Sequence, residues 1–417
     1  MASNDPHRPL PGTFRPPDSG WWEASTIRNP RVAPPASLSP PVSPMWEQPR
    51  GRGAGVLNII LAIAAAGITA MVLLFLSVSL GPSALVLCSV LALIPLAICL
   101  LGIRWIDRWD PEPRGALLFA FLWGAGVSVM VTLLLGNYVI ELLGAALTTT
   151  PDDVIGPVLQ APLLEELAKG FGVLILVYTR RSHFDGPVDG IVYAGTVAAG
   201  FAFTENILYF GTAVIDAGST GPLVSVFILR GLFSPFAHVM FTAALGFVLG
   251  LAVARGGGSR RVLPGFVVGL VPAIAGHMLW NGGTVILFSD FFSFYFFVQV
   301  PLFLAAVLCV ILLRRSERRL TEARLGDYAR AGWFTSQEVA MLATVPGRRQ
   351  ALAWARGIGA RTDMAAFIRT ASRVAHTRQR MLGGRHDADD AAEEHFLLEE
   401  ATRRRSRILQ TASNRFS

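Results

Sequence analysis

Three ionisable residues, Glu165, Glu166 and Lys169, fall within five positions of Ala161-Pro-Leu-Leu-Glu-Glu-Leu-Ala-Lys-Gly170, among apolar and small neighbours. Lys169 is the only lysine in the chain. On a helix it is i+4 from Glu165 and i+3 from Glu166, so one ammonium can reach either acid. Charge at bilayer depth costs roughly 2.5–3.5 kcal/mol per group on insertion scales, which marks the cluster as a functional-site candidate. Further polar groups interrupt later apolar runs: Glu205 and Asn206 in Phe201-Ala-Phe-Thr-Glu-Asn-Ile-Leu-Tyr209, His238 in Ser234-Pro-Phe-Ala-His-Val-Met-Phe-Thr242, and the i,i+4 pair His277 and Asn281. Arg230 lies two turns before His238 and reads as an arginine at the membrane rim.

Carboxylates, imidazoles and an amide together suit hydrolysis. A buried Glu can act as general base on a water. His238, His277 and Asn281 can hold that water or stabilise the oxyanion of an attacked carbonyl, with Lys169 keeping the second Glu ionised. Alternatively, His238, His277 and Glu205 could bind Zn2+ with one position open for water, leaving another Glu as base. No His-Glu-x-x-His run is present, and no serine, cysteine or aspartate dyad offers a better nucleophile. The residues leave metal-assisted and glutamate-only chemistry both open. A proton-coupled transporter or channel is the alternative class, since intramembrane acids and histidines also form proton relays.

The elements that must position these groups are membrane helices. A chain of 417 residues with 52% hydrophobic and only 16% charged residues, and a mean hydropathy of +0.49, is too apolar for an ordinary soluble enzyme. The formal charge of +7 could suit nucleic acid, but the arginines flank apolar runs and form no aromatic-interleaved patch. The expected partner is the lipid bilayer, with no nucleic acid. Eight apolar segments, at 56–80, 83–103, 115–136, 155–178, 188–212, 229–254, 262–288 and 291–313, each approach the roughly 20 residues a spanning helix needs. The fold class expected is an all-α polytopic bundle of about eight transmembrane helices.

Loop charge orients the bundle. Arg104, Arg108 and Arg114, then Arg180 and Arg181, then Arg255, Arg260 and Arg261, and finally Arg314 and Arg315 mark alternate exits. By the positive-inside rule this is a multi-pass protein of the cell membrane with both termini cytoplasmic. Counted from the outer end of each helix, Glu165 lies about 10 residues in, Glu205 about 7, His238 about 9 and His277 about 11. At 1.5 Å per residue these converge on one layer ~10–16 Å below the outer surface. A relay would instead spread its groups across the bilayer.

Three domains are expected. Residues 1–54 hold 12 of the 26 prolines and few aliphatics, and read as a disordered cytoplasmic tail. Residues 55–313 form the membrane domain, and 314–417 a basic helical cytoplasmic tail. Cys88, Cys99 and Cys309 lie in apolar runs, which argues against disulfides or a thiolate metal site.

Glu165-Glu166-x-x-Lys169, Phe201-x-x-x-Glu205-Asn206, His238-x-x-Phe241-Thr242 with Gly246, and His277-x-x-Trp280-Asn281 resemble, in order, the four motifs of the PrsW family of intramembrane proteases, which is related to the CAAX prenyl endopeptidase and bacteriocin-immunity group. Asp107-Arg-Trp-Asp-Pro-Glu-Pro-Arg114 and Asp189-Gly-Ile-Val-Tyr193 are similar to family patterns as well. The resemblance covers about residues 100–285. It implies cleavage of a membrane-embedded protein, with single-pass anti-sigma factors the best-known substrate class. It also implies that Glu165, Glu166, Glu205, His238 and His277 are catalytic or ligand residues, with Asn281 in support. The family is usually labelled a metalloprotease, while the related group is also described as glutamate-dependent.

Overall fold

The computed structural model describes residues 52–416 except 110, 149, 151–153, 181–183, 185, 218–220, 256–258, 284–286, 289 and 383–387. The expected disordered head lies outside these residues as far as residue 51. Among the described residues the chain forms twelve helices and no strand. They fall into two compact units, one ending at Ser316 and one beginning at Glu317.

The first unit contains α1 (Arg52–Leu80), α2 (Pro82–Ile106), α3 (Arg114–Ala146), α4 (Ala161–Thr179), α5 (Pro187–Ala217), α6 (Gly221–Ala254), α7 (Ser259–Gly282) and the membrane part of α8 (Phe291–Arg330). Seven of these are long and apolar enough to cross a membrane, and α4 is the eighth expected span. It carries three charges, Glu165, Glu166 and Lys169, in an otherwise apolar helix of 19 residues. It packs against α5, α7 and α3 within the bundle. Between α1 and α2 a single residue, Gly81 (φ 81°, ψ 151°), makes the turn, and Pro82 starts the next helix. Only glycine adopts that backbone readily, and proline is pre-set for a helix start.

Helix α5 is the most buried span and forms the centre of the unit. It meets α6 at close range. A Cβ on Gly246 would lie 2.1 Å from the Gly190 carbonyl oxygen, and one on Gly250 would lie 2.4 Å from that of Gly186. Paired small residues four apart let membrane helices approach backbone to backbone.

Several spans widen locally into π turns, at Trp123–Ser128 in α3, Ile155–Gln160 ahead of α4, Phe227–Phe233 in α6 and Tyr295–Gln299 in α8. Such turns recur at functional positions. In α6 the π turn ends in a break at 234–236 before helix resumes at Ala237, and Cys99 of α2 donates its S–H to the Pro235 carbonyl there at 2.9 Å.

Two helices outrun their apolar stretches. Helix α3 continues to Ala146 rather than ending near 136, and α8 continues to Arg330 rather than 313. Hydropathy falls at Asn137 and Glu141, and at Arg314, but good helix formers carry the backbone on. The second unit adds α9 (Ser336–Leu342), α10 (Val345–Gly357), α11 (Arg361–Leu382) and α12 (Ala388–Phe416) around Leu342, Met364, Phe367, Val374 and Leu397.

Candidate active site

Helices α4, α5, α6 and α7 bring Glu165, Glu166, Lys169, Glu205, His238 and His277 into one contiguous cluster. Lys169 is fully buried and reaches both acids of its own helix, Nζ lying 3.1 Å from Glu165 Oε2 and 2.9 Å from Glu166 Oε1. The same ammonium is 3.1 Å from His238 Nδ1 and sits over the Phe201 ring, 3.9 Å from its centroid.

Glu166 is equally buried. Its Oε2 accepts from the Thr242 hydroxyl at 2.7 Å, and its Oε1, besides Lys169, faces His277 Nδ1 at 3.1 Å. Both oxygens are therefore engaged. Glu205 Oε2 accepts from Arg230 Nη2 at 2.6 Å and contacts His238 Nε2 at 2.7 Å, with the Arg230 guanidinium over the Tyr209 ring. Glu165 has the lightest engagement of the three acids, with Lys169 at 3.1 Å and His238 Nδ1 at 3.9 Å on a single oxygen. The two imidazoles meet edge to face at 5.0 Å, and Phe241 stacks on His277.

Two residues of the expected set stand differently. Asn206 is buried beside Glu205 but enters none of these contacts, since neighbours on a helix point about 100° apart. Asn281, read from the sequence as a water or oxyanion donor, instead gives its Nδ2–H to the Pro157 carbonyl at 2.8 Å. The reason is local. In the π turn ahead of α4 the Ala161 N–H bonds to Gly156 O, so the next carbonyl in that register, Pro157, faces Pro162, which has no N–H. Asn281 fills the missing bond and ties the end of α7 to the approach of α4.

Arg230 and Thr242 are the participants that sequence reasoning undervalued. Arg230 stands out as the one arginine among the otherwise acidic loops, and Thr242 is i+4 from His238 on the same helix face. The segments around Asp107–Arg114 and Asp189–Tyr193 join each other rather than the cluster. The Tyr193 hydroxyl donates to Glu112, and Asp107 accepts from the Glu112 N–H at 3.0 Å. Tyr193 precedes Glu205 by twelve residues, about 18 Å along α5.

Ligand atoms of Glu165, His238 and His277 all lie within 4.8 Å of one another. The carboxylate in this group is Glu165, whereas the sequence pattern had paired the imidazoles with Glu205, which here is held by Arg230. Two imidazoles and a carboxylate match a catalytic zinc donor set. Glu166 on His277 Nδ1 is the carboxylate–histidine contact that directs the ring's other nitrogen to a metal. Three carboxylates face one ammonium and one guanidinium, leaving a formal negative charge for a cation to balance. The donor types fit a divalent metal, with His238 exchanging its contact to Lys169 or Glu205 for the ion.

A profile described as PrsW family intramembrane metalloprotease matches residues 112–306. The chain is 33% identical over 146 residues to Protease PrsW of Geobacillus kaustophilus, covering 35% of this chain and 58% of that one. It is 32% identical over 184 residues to Protease PrsW of Clostridioides difficile, covering 44% and 74%. A third relative, Protease PrsW of Bacillus subtilis, is 32% identical over 151 residues, covering 35% and 60%. The Geobacillus and Bacillus relatives are thus matched over less than two thirds of their length. No solved structure matches.

Proposed function

The chain belongs to the PrsW family of intramembrane proteases, and from that premise we propose that it hydrolyses a peptide bond of a membrane-embedded protein at the α4–α7 cluster. The observation that carries this reading is the single buried network of Glu165, Glu166, Glu205, Lys169, His238 and His277. A transporter relay needs groups strung along the membrane normal, and no observation favours that arrangement here.

Glu165 is the acid we assign to the water, because Glu166 and Glu205 are more fully held by other side chains. In metal-free form Glu165 takes a proton from the water as it attacks the scissile carbonyl. His277 offers the ring nitrogen that does not face Glu166 to the water or the developing oxyanion, and His238 links Lys169 to Glu205. Glu166 fixes His277, Thr242 fixes Glu166, and Lys169 compensates the charge of both acids. Glu165, His238 and His277 would also hold Zn2+, which when bound polarises a carbonyl and acidifies a water. Glu165 is then a ligand, and Glu205, whose Oε1 enters none of the contacts above, is the acid left to receive the proton.

We further propose a single-pass membrane protein as substrate, of which an anti-sigma factor is the class the family resemblance implies, and a cell-membrane location. The arginine-bearing loops favour cytoplasmic termini. Catalytic assignment extends to the six ionisable residues, with Asn281 as a positioning residue.

The test is cleavage of a single-pass substrate reconstituted in liposomes with the purified full-length protein. Glu166→Gln should lower the rate by at least a thousandfold while the protein still inserts. Retained cleavage refutes the reading. Chelation in the same assay separates the two chemistries: full activity after removal of all bound metal excludes the Zn2+ form.

A further inference from the structure

A cleft of about 230 Å3 opens beside the cluster, between the break in α6 and the π turn of α8. Liquid water occupies ~30 Å3 per molecule, so this is far more than a packing defect. Ala237 and Trp280 line it, and both connect to the reacting groups. Ala237 precedes His238 in the chain. The Trp280 ring meets Phe241 at 5.7 Å, and Phe241 stacks on His277 at 5.1 Å.

Among the lining residues only Ser234, Trp280, Tyr295 and Gln299 carry a polar side-chain group. Gln299 is 3% exposed, and its Oε1 is closed to water with no hydrogen-bond partner among the described residues, so a turn of the carboxamide is what brings it to a group in the cleft. It lies eight residues into α8, ~12 Å along the helix, at the depth estimated for the ionisable layer. Phe292, Phe296 and Phe297 beside it are exposed, so this edge faces lipid.

A lone amide in an apolar membrane cleft needs a polar partner, and acyl chains offer none. A transmembrane helix also offers none along its length, since its backbone groups bond internally. An unwound stretch of polypeptide does. It must unwind before a water can reach its carbonyl, and its freed N–H and C=O groups then need partners inside the bilayer.

Resting on the protease reading, we propose that this cleft receives the unwound part of the substrate's transmembrane segment, with the Gln299 carboxamide hydrogen-bonding its freed backbone. Gln299 is thus a substrate-positioning residue. The cleft selects apolar segments that unwind easily, carrying glycine or proline near the cut.

The test uses full-length Glu166→Gln protein in liposomes, with p-benzoylphenylalanine replacing Phe303 in the cleft wall. The probes are a synthetic ~25-residue single-pass Leu/Ala peptide with a central Gly-Gly-Pro, an all-Leu/Ala peptide of equal length, and a phosphatidylcholine carrying a photoreactive acyl chain. The Gly-Gly-Pro peptide should be captured, and the uninterrupted peptide should compete about tenfold less well. Gln299→Met should weaken capture about tenfold, Gln299→Asn should restore most of it, and Met240→Trp should block it by filling the cleft from the α6 side. In the Glu166-intact protein, Gln299→Met should raise KM for a cleaved substrate about tenfold with kcat unchanged. Absent capture, capture unmoved by Gln299→Met, or lipid labelling that the peptide does not displace overturns the proposal. Capture is read without cleavage, so a protein that captures peptide but cuts nothing refutes the protease reading alone. One that cuts with KM unmoved refutes the cleft alone.

Discussion

The α4–α7 cluster and the unit from Glu317 onward both contain many charges, and they use them in opposite ways. In the second unit, ion pairs join helices at half-exposed positions. Arg404 reaches Asp363 at 2.9 Å and Glu400 at 2.7 Å with side chains 22–29% exposed, and Glu393 pairs with Arg373 and Arg380. Its buried charges tie the backbone to side chains at the edge of the core. Glu338 closes a capping box with Thr335 and pairs with Arg405 at 2.7 Å, and Arg348 donates to the Leu342 carbonyl and to the Ser372 hydroxyl. In the α4–α7 cluster the buried charges serve one another and two imidazoles. Charge placed where water can share it stabilises little, and charge placed where nothing else can compensate it marks a site.

The comparison can be broken at Lys169. Lys169→Met strands two buried carboxylates, and uncompensated buried charge costs about 3–5 kcal/mol. The variant should lose most of its folded yield and all cleavage. Arg404→Met in the second unit should change stability by less than about 1 kcal/mol. Adding Glu165→Gln and Glu166→Gln to Lys169→Met should restore the fold, because a neutral polar core replaces the stranded charges, yet leave cleavage absent. Thermal unfolding in detergent and liposome cleavage read the two effects separately. Recovered cleavage in the triple variant would mean the cluster is structural.

Thr242 sharpens the contrast within the cluster. Thr242→Val keeps the shape but removes the hydroxyl that donates to Glu166 Oε2 at 2.7 Å. Hydrogen bonds to charged groups contribute about 1.5–3 kcal/mol. If Glu166 must be held to orient His277, kcat should fall about tenfold to a hundredfold with KM nearly unchanged. An unchanged kcat would mean that Lys169 and His277 alone hold Glu166.

The site layer was legible because ionisable residues in spans are rare and four of them counted to one depth. That Lys169 reaches either acid followed from its i,i+3 and i,i+4 spacing. The limits of legibility were equally physical. Apolar runs end where polar residues begin, so α8 was expected to stop near 313, but Arg, Glu, Leu and Ala continue the helix to Arg330. The Arg230–Glu205 pair joins residues on two helices, and only packing places the guanidinium on the acid rather than at the rim. Asn281 looked like a reaction group because polar residues one turn apart share a face. Its partner depends on a π register ahead of α4 that no periodicity reveals.

That register supplies the smallest effect predicted for the membrane unit. Asn281→Ala leaves the Pro157 carbonyl without a donor and should cost about 1 kcal/mol, a typical single hydrogen bond. Pro162→Ala restores an N–H at the position that faces Pro157 in the i→i+5 pattern, giving the carbonyl a backbone donor of its own. In the Pro162→Ala background, Asn281→Ala should therefore cost much less, with a coupling of about 1 kcal/mol in a double-mutant cycle read by reversible unfolding in mild detergent. Additive effects would show that Asn281 stabilises α7 independently of the π turn. Coupling would show that a proline-made gap in one helix is closed by an amide from another, and would assign Asn281 to positioning α4 rather than to the reacting water.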